Sequence, residues 1–269
     1  MKMKRLLPLL LVLVPLLSCN KESAAPSPEK DLAFVTIRPF ETRSQIGTNT
    51  LTAWSKGDAI AIVSDLEDTP SVFTLRSGAG YSSASFEGVK PEGNIYVACY
   101  PATARCNGIT YRGLLDTKVT HSMPSQTLGA LPMWGRGSDL SSLTLSPICG
   151  IFQLNLTGTG KLSSILLDAG RPVSGEYLCS LSDGLFAMIN GSDIILMDVQ
   201  GTELSTFRET PFYFILPPGE YEGLRLTITA EDGTVKEQVL DEMLVIEAGL
   251  FSLVYYDFDE IETLTDDND

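Results

Sequence analysis

The chain has 269 residues, of which 43% are hydrophobic, and its 34 acidic and 19 basic side chains give a formal net charge of −15. This length and apolar content suit one large folded domain or two of about 110 residues each. A surface this acidic repels nucleic acid and anionic lipid headgroups, so nucleic acid is excluded as an expected partner.

Residues 1–18 have the pattern of an export signal. Three basic side chains precede an apolar run, residues 6–17, that is too short to span a bilayer. The run ends in Leu-Leu-Ser-Cys, which resembles a bacterial lipobox, a signal in which the cysteine is acylated and cleavage occurs just before it. We therefore expect residues 1–18 to be a lipoprotein signal peptide and acyl chains on Cys19 to anchor the mature chain in outer-membrane lipid. The alternative is an ordinary signal peptide that contains a cysteine.

Beyond Cys19, the chain alternates between short apolar stretches and turn residues. Residues 19–31 are polar and lack apolar periodicity, which predicts a flexible tether. The following segments are rich in Val, Ile, Thr, Phe and Tyr, as strands are. The predicted strands are residues 32–37, 59–63, 72–75, 85–86, 94–100, 143–145, 148–156, 164–167, 184–189, 194–199, 212–216, 224–230, 234–240 and 251–256. Asp232-Gly233 predicts a tight hairpin turn between residues 224–230 and 234–240.

This strand pattern predicts an all-β chain. No amphipathic helix longer than about two turns is visible, and short strands spaced roughly 8–12 residues apart are typical of antiparallel sandwiches. Residues 107–142 look loop-rich, so we predict two β-sandwich domains, residues 32–142 and 143–258. An acidic tail, residues 259–269, is predicted to stay solvated, although Ile261 and Leu264 could dock.

The sequence offers little for catalysis. Its single histidine, His121, lies in a polar stretch of a chain without a G-x-S-x-G motif, so we expect a surface side chain. Neither several histidines nor paired cysteines indicate a metal site, and no metal or cofactor is expected. The acidic residues are scattered and single out no glycosidase pair, so no enzymatic activity is expected.

Four further cysteines could act in either of two ways. Export permits disulfides, and Cys99 and Cys106 are close enough in sequence to close a small loop. Alternatively Cys99, Cys106, Cys149 and Cys179 are small buried hydrophobic side chains, since a chain of this length does not need cross-links.

Several short motifs of this chain occur in the same order as similar motifs in a known protein family. Residues 51–62, LTAWSKGDAIAI, resemble a motif of the Bacteroidetes fimbrillin-like proteins, in which a Trp, two residues and Gly-Asp precede an apolar strand soon after a Thr-Arg pair. That pair is Thr42-Arg43 in this chain. Later passages of the family are resembled, in the same order, by residues 96–101, 124–126, 132–135, 145–156 and 216–219.

The resemblance implies two tandem transthyretin-like antiparallel β-sandwich domains. It also implies a lipid-anchored structural or adhesive subunit of a cell-surface fimbria of the type V kind, on the outer membrane. The implied partners are other fimbrial subunits and a host or bacterial surface receptor.

The resemblance further implies assembly by strand exchange. In shaft subunits of that family an arginine-specific protease removes the leader with the first strand, and an extended segment of another subunit fills the groove. In this chain the removable strand would hold Leu32 and Phe34, and the cut would follow Arg43, or Arg38 if the proline after it did not block cleavage. The alternative is an ordinary first strand followed by a solvated arginine.

The last predicted strand is the candidate donor for this exchange. It would present Phe251, Leu253 and Tyr255 to a neighbouring subunit. The acidic tail that follows opposes this role, because its charges would be costly to bury in a groove. A fixed strand of the second sandwich, in an anchor subunit that keeps its lipid, is the alternative.

Two rival functions stay open at this point. A surface lipoprotein could bind a glycan or protein through loops around Trp54 or Trp134, whose rings could stack on a sugar. The same tryptophans could instead be aromatic plugs at sandwich ends. A surface glycosidase would need two converging carboxylates, which the sequence does not identify.

Overall fold

The computed structural model describes residues 31–37, 41–42, 53–67, 69–106, 109–121, 131–180 and 185–264. These residues form 23 strands and two short 3-10 helices, Leu140–Ser142 and Phe258–Glu260. The strands of the first half are β1 (Asp31–Ile37), β2 (Glu41–Thr42), β3 (Ala59–Ser64), β4 (Ser71–Ser77), β5 (Ser83–Gly88), β6 (Tyr96–Tyr100), β7 (Arg105–Cys106), β8 (Thr110–Leu115), β9 (Lys118–Thr120), β10 (Met133–Gly137) and β11 (Leu143–Pro147). Those of the second half are β12 (Gly150–Thr157), β13 (Lys161–Asp168), β14 (Ser174–Ser180), β15 (Phe186–Ser192), β16 (Ile194–Glu203), β17 (Thr210–Leu216), β18 (Gly219–Tyr221), β19 (Arg225–Ala230), β20 (Val235–Val239), β21 (Leu244–Ile246), β22 (Leu250–Asp257) and β23 (Glu262–Thr263).

Seven strands close into a barrel in the order β1-β11-β10-β6-β3-β4-β5. The ring is closed because β1 pairs with β11 on one side and with β5 on the other. Trp54, Phe73 and Phe86 are among the largest fully buried side chains of its core. Four consecutive residues of β3, Ile60 to Val63, are buried, as expected of a strand that is covered on both faces.

A second core lies between two open sheets. Their strand orders are β17-β12-β22-β2 and β23-β20-β19-β13-β16-β9. In β17 the inward residues alternate cleanly with half-exposed ones, so that Phe212, Phe214 and Leu216 enter the core. β12 connects the two cores, because Phe152 belongs to this one and Ile151 to the core of the barrel.

The two halves of the chain also interlock through a further sheet, ordered β15-β14-β8-β7. Residues 105–120 leave the barrel after β6, and β8 pairs with β14 of the second half. β9 then pairs in parallel with β16. The chain returns to the barrel as β10, and β18 and β21 form a small sheet of their own.

The all-β fold class is confirmed, and so is the predicted Asp-Gly hairpin, in which β19 pairs with β20 from Arg225↔Val239 to Thr229↔Val235. Ile261 is buried, as suggested, whereas Leu264 is half exposed. Residues 107–142, which look loop-rich in the sequence, contain β8, β9 and β10. These strands carry Arg and Gly at several positions, so that their pairing depends on neighbours that are distant in sequence.

The division of the chain at residue 142 stays a prediction. The strand order bears on it, because β11 begins at Leu143 yet pairs with β10 and β1 in the barrel. A boundary that followed the sheets would lie between β11, which ends at Pro147, and β12, which begins at Gly150.

Gly135 in β10 allows the close approach of β11. A Cβ atom added there would overlap the backbone carbonyl of Thr144. We expect Gly135→Ala to lower the free energy of unfolding by about 3 kcal/mol, because a backbone atom cannot move away as a side chain can. Urea titration followed by circular dichroism measures this loss.

Gly137→Ala, two residues along the same strand, is the matched control. The nearest atom to its added Cβ is the Leu143 Cδ2 atom at 3.0 Å, the end of a side chain and not a backbone atom, so the loss should stay under about 1 kcal/mol. Equal losses for both variants would contradict the role given to Gly135.

Candidate functional site

The N-terminal strand β1 is part of the barrel wall and has neighbours on both sides. It pairs antiparallel with β5 from Asp31↔Gly88 to Thr36↔Ser83, and parallel with β11 from Val35↔Leu143 to Ile37↔Leu145. Its backbone groups therefore bridge two strands that would otherwise both be edges of the sheet.

The two faces of β1 differ in side-chain size. Ala33 and Val35 point into the core and are buried, whereas Leu32 and Phe34 are 39% and 50% exposed. The predicted strand-exchange residues Leu32 and Phe34 thus lie on the outer face. The barrel interior, already filled by large aromatic rings, leaves room only for small side chains along β1.

The same N-terminal segment also reaches the neighbouring four-stranded sheet. β2 pairs in parallel with β22 through Glu41↔Leu250 and Thr42↔Phe251. Residues 31–42 therefore contribute one strand to the barrel and one to the neighbouring sheet. A two-residue strand has no periodicity, so β2 leaves no recognisable pattern in the sequence.

The last long strand, β22, lies between two neighbours. It pairs with β12 over seven residues, from Ile151↔Phe251 to Thr157↔Asp257, and with β2 on its other side. Phe251 is buried, whereas Leu253 and Tyr255 are 37% and 56% exposed. In the structure, β22 is thus paired on both sides within its own chain. This agrees with the alternative of a fixed strand and not with a strand donated to another subunit.

Three predicted site residues, Cys19, Arg38 and Arg43, lie outside the described residues. Acylation and proteolysis at these positions stay predictions. Within the described ranges, no helix is both long enough and apolar enough to cross a membrane.

Trp54 lies inside the barrel, 2% exposed. Its ring makes edge-to-face contacts with Phe86 and Tyr100, at centroid distances of 4.8 and 5.3 Å. Tyr100 in turn donates a hydrogen bond from its hydroxyl to Asp58 Oδ1 at 3.0 Å. A sugar could not stack on Trp54 unless the core opened, which agrees with the alternative of an aromatic plug.

Trp134 is half-buried in β10 and packs against the barrel core. Part of its ring stays accessible, so ligand stacking there stays a prediction. The structure does not bring the two tryptophans into one site, because Trp54 points into the core.

His121 is buried, with 5% exposure, so the expectation of a surface histidine is wrong. It follows β9, where its backbone N–H donates to the Asp198 carbonyl at 2.8 Å, and its ring lies 4.7 Å from that of Phe212. No described residue forms a hydrogen bond with its Nε2 atom, and burial lowers the pKa of the imidazole. Among the described residues, no three His, Cys, Asp or Glu side chains cluster as metal ligands would.

Cys99, Cys149 and Cys179 are buried in the barrel core. Burial raises the pKa of the Cys149 thiol, which keeps it protonated and unreactive. These positions agree with the alternative of buried hydrophobic side chains.

Comparison with known proteins finds similarity in structure alone. No protein-family model matches the sequence, and no curated protein matches it. A solved structure of a candidate cell adhesion protein from Bacteroides ovatus superposes with a TM-score of 0.59 at 14% identity, covering 88% of this chain and 96% of that one. The chain has the fold of this protein.

Two further solved structures resemble the chain less closely. A candidate cell adhesion protein from Bacteroides uniformis has a TM-score of 0.48 at 13% identity, over 87% of this chain and 95% of that one. A fimbrial protein from Bacteroides vulgatus has a TM-score of 0.41 at 10% identity, over 87% and 98%. These three structural neighbours are named as cell adhesion and fimbrial proteins, and all come from Bacteroides species.

The two tryptophans should differ in their accessibility to solvent. We expect the Trp134→Phe variant, which retains Trp54, to emit at shorter wavelength and to resist acrylamide quenching, because Trp54 is enclosed by the barrel. The Trp54→Phe variant retains the half-buried Trp134 and should be quenched more readily. Quenching of Trp54 as efficient as that of free tryptophan would contradict its enclosure by the barrel.

Burial of His121 should make stability depend on pH. Since the folded-state pKa is lowered, the unfolded chain binds the proton more readily, and stability falls as the pH drops below about 6.5. We expect the wild type to lose more unfolding free energy between about pH 7 and pH 5 than His121→Phe, which cannot titrate. Parallel curves for the two proteins would contradict this.

Proposed function

We propose that this chain is a lipid-anchored, non-enzymatic subunit of an adhesive fimbria on the cell surface, which assembles by strand addition between subunits. The barrel and the two-sheet unit would be the two transthyretin-like domains that the sequence resemblance implies. The fold shared with a candidate cell adhesion protein supports this proposal at the level of architecture.

The observation that carries the proposal is the position of β1. It is the first described strand, its inner face consists of small side chains, and it is the element that closes the barrel. Removal of β1 would leave β5 and β11 as facing edges, with unpaired backbone groups and an apolar groove where Ala33 and Val35 had been. An extended segment of another subunit could restore both kinds of contact.

The position of the cut would decide how much groove is opened. Cleavage after Arg38 would free β1 alone, whereas cleavage after Arg43 would free β1 and β2 as one segment. We favour Arg43, since Pro39 follows Arg38 and hinders cleavage there. A donor that replaced residues 31–42 would then span about 40 Å, at roughly 3.3 Å per residue, across both sheets.

The groove also restricts the donor sequence. A donor would have to present small apolar side chains at two positions, i and i+2, matching Ala33 and Val35. Phe251, Leu253 and Tyr255 of β22 are larger, and forcing such side chains into a packed core is destabilising. Since β22 is also paired on both sides, we propose that the donor comes from another subunit type or another segment.

Head-to-tail strand addition would give a filament, because each subunit accepts at one surface and donates from another. A subunit that is not cut keeps its acylated Cys19 and would serve as an anchor, bound to outer-membrane lipid. Both forms use the same fold and differ in processing at the N-terminus.

Limited proteolysis tests the shaft form. We expect an arginine-specific protease to cut the exported protein after Arg43, and the cut protein to form heat-resistant oligomers, because an opened barrel can accept a strand. Mass analysis of the N-terminus identifies the cut and the acyl chains together. Arg43→Gln should block the cut and Arg38→Gln should not.

Strand replacement in trans gives a second readout. A labelled peptide of residues 31–42 should enter the cut protein, whereas the same peptide with Val35→Asp should not, because it would bury a carboxylate. Monomers that keep residues 31–43 after protease treatment would exclude the shaft form and leave the anchor form. Loss of all secondary structure after the cut would exclude strand replacement.

A further inference from the structure

A cavity of about 810 Å³ opens where the interlocking sheet meets the second core. Its walls come from β8, β9, β14, β16 and β17 and from the segment that follows β6. This volume lies in the range of about 300–1,000 Å³ that is typical of sites for small organic molecules. The cavity is separate from β1, β2 and β22, so strand addition does not account for it.

The floor of the cavity is apolar and aromatic. Leu115, Tyr177, Ile195, Met197 and Phe214 line it and are all buried. An apolar or aromatic body of a ligand would fit such a surface.

The rim carries two arginines that face each other. Arg105 and Arg112 are directly opposite across the β7–β8 ladder, and both line the cavity. Like charges directly opposite on neighbouring strands repel each other. Arg112 donates from Nε to Glu176 Oε1 at 2.6 Å, so one carboxylate stands beside the pair.

Lys118 and Asp116 also line the cavity, so its lining has three basic side chains and two carboxylates, an excess of one positive charge. Arg112, first by its hydrogen bond, holds the pKa of Glu176 below its usual range, and Arg105 adds to this effect. The Arg112 Nη groups make no hydrogen bond with any residue that the structure describes. Because a guanidinium offers five donors in a fork that matches a carboxylate, these groups can bind an anion.

We propose that this cavity binds an amphipathic organic anion, with its carboxylate or similar group on Arg105 and Arg112 and its apolar body on the floor. The net charge of the whole chain, −15, would repel such an anion elsewhere on the surface. The two arginines therefore favour a negatively charged ligand, and the apolar floor favours a ligand that also has an apolar part.

His121 provides a direct reporter of occupancy. It lines the cavity and is the single histidine of the chain, so its imidazole NMR signals need no assignment. The probes share one aromatic body and differ in charge: 2-naphthoate, 2-naphthalenemethanol and 2-naphthylmethylammonium. We expect 2-naphthoate to shift the His121 signals saturably in the mature chain (residues 19–269, with Cys19→Ser), and the other two probes to bind at least about tenfold more weakly.

Arginine variants test the mode of binding. Arg105→Gln and Arg112→Gln should each weaken 2-naphthoate about tenfold and leave the alcohol unchanged, since they remove a charge-assisted hydrogen bond. Arg76→Gln is the matched control, because it removes an arginine that pairs with Glu87 at 3.5 Å in the barrel, away from the cavity. It should leave 2-naphthoate binding unchanged.

Val119→Trp tests the cavity itself, since the larger side chain would occupy the volume that the naphthyl ring needs. Thermal unfolding of each variant checks that it is folded. The proposal is overturned if 2-naphthoate does not shift the His121 signals, if the three probes bind equally, or if Arg76→Gln weakens binding as much as the cavity variants do.

Discussion

Backbone pairing of β1 with two strands that are far apart in sequence holds the barrel together. β5 precedes β11 by more than fifty residues. Without β1 between them, each of these strands would have one edge of unpaired N–H and C=O groups. The hydrophobic contribution of β1 is small, since its inner face consists of Ala33 and Val35. Hydrogen-bond satisfaction, more than side-chain burial, therefore gives this strand its importance.

The rest of the molecule is organised so that neither core is independent of the other. β12 contributes Ile151 to the barrel core and Phe152 to the second core. Residues 105–120 leave the barrel to pair with β14 and β16 and then return. This crossing also creates the wall of the cavity below Arg105 and Arg112, so the interlocking sheet shapes a feature that neither half would form alone.

Sequence patterns predict those strands whose pairing partner is adjacent in sequence. The β19–β20 hairpin has alternating residues and an Asp-Gly turn, and both features lie within the segment itself. β10 has two glycines and an arginine in five residues, and it is a strand because β6 and β11 pair with it. No short stretch of sequence contains that information, which is why residues 107–142 look loop-rich in the sequence.

In the candidate site, too, the burial of single residues depends on neighbours that are distant in sequence. Alternation in β1 predicts two faces, and hydrophobicity alone favours Leu32 and Phe34 as the inner one. The observed inner face is the opposite one, since the aromatic core leaves little space. His121 was misassigned for a related reason: its neighbours in sequence are polar, but Phe212 covers it in the fold.

The orientation of β1 has a mechanical consequence. The segment that leads to Cys19 joins β1 at Asp31, so tension from a membrane anchor would enter the barrel at that end. A pull along the strand axis loads the ladders to β5 and β11 in shear, with many hydrogen bonds sharing the force at once. In an uncleaved subunit, β1 would thus bear the load from the membrane anchor. The same strand, once removed by cleavage, would leave the groove that a neighbouring subunit fills.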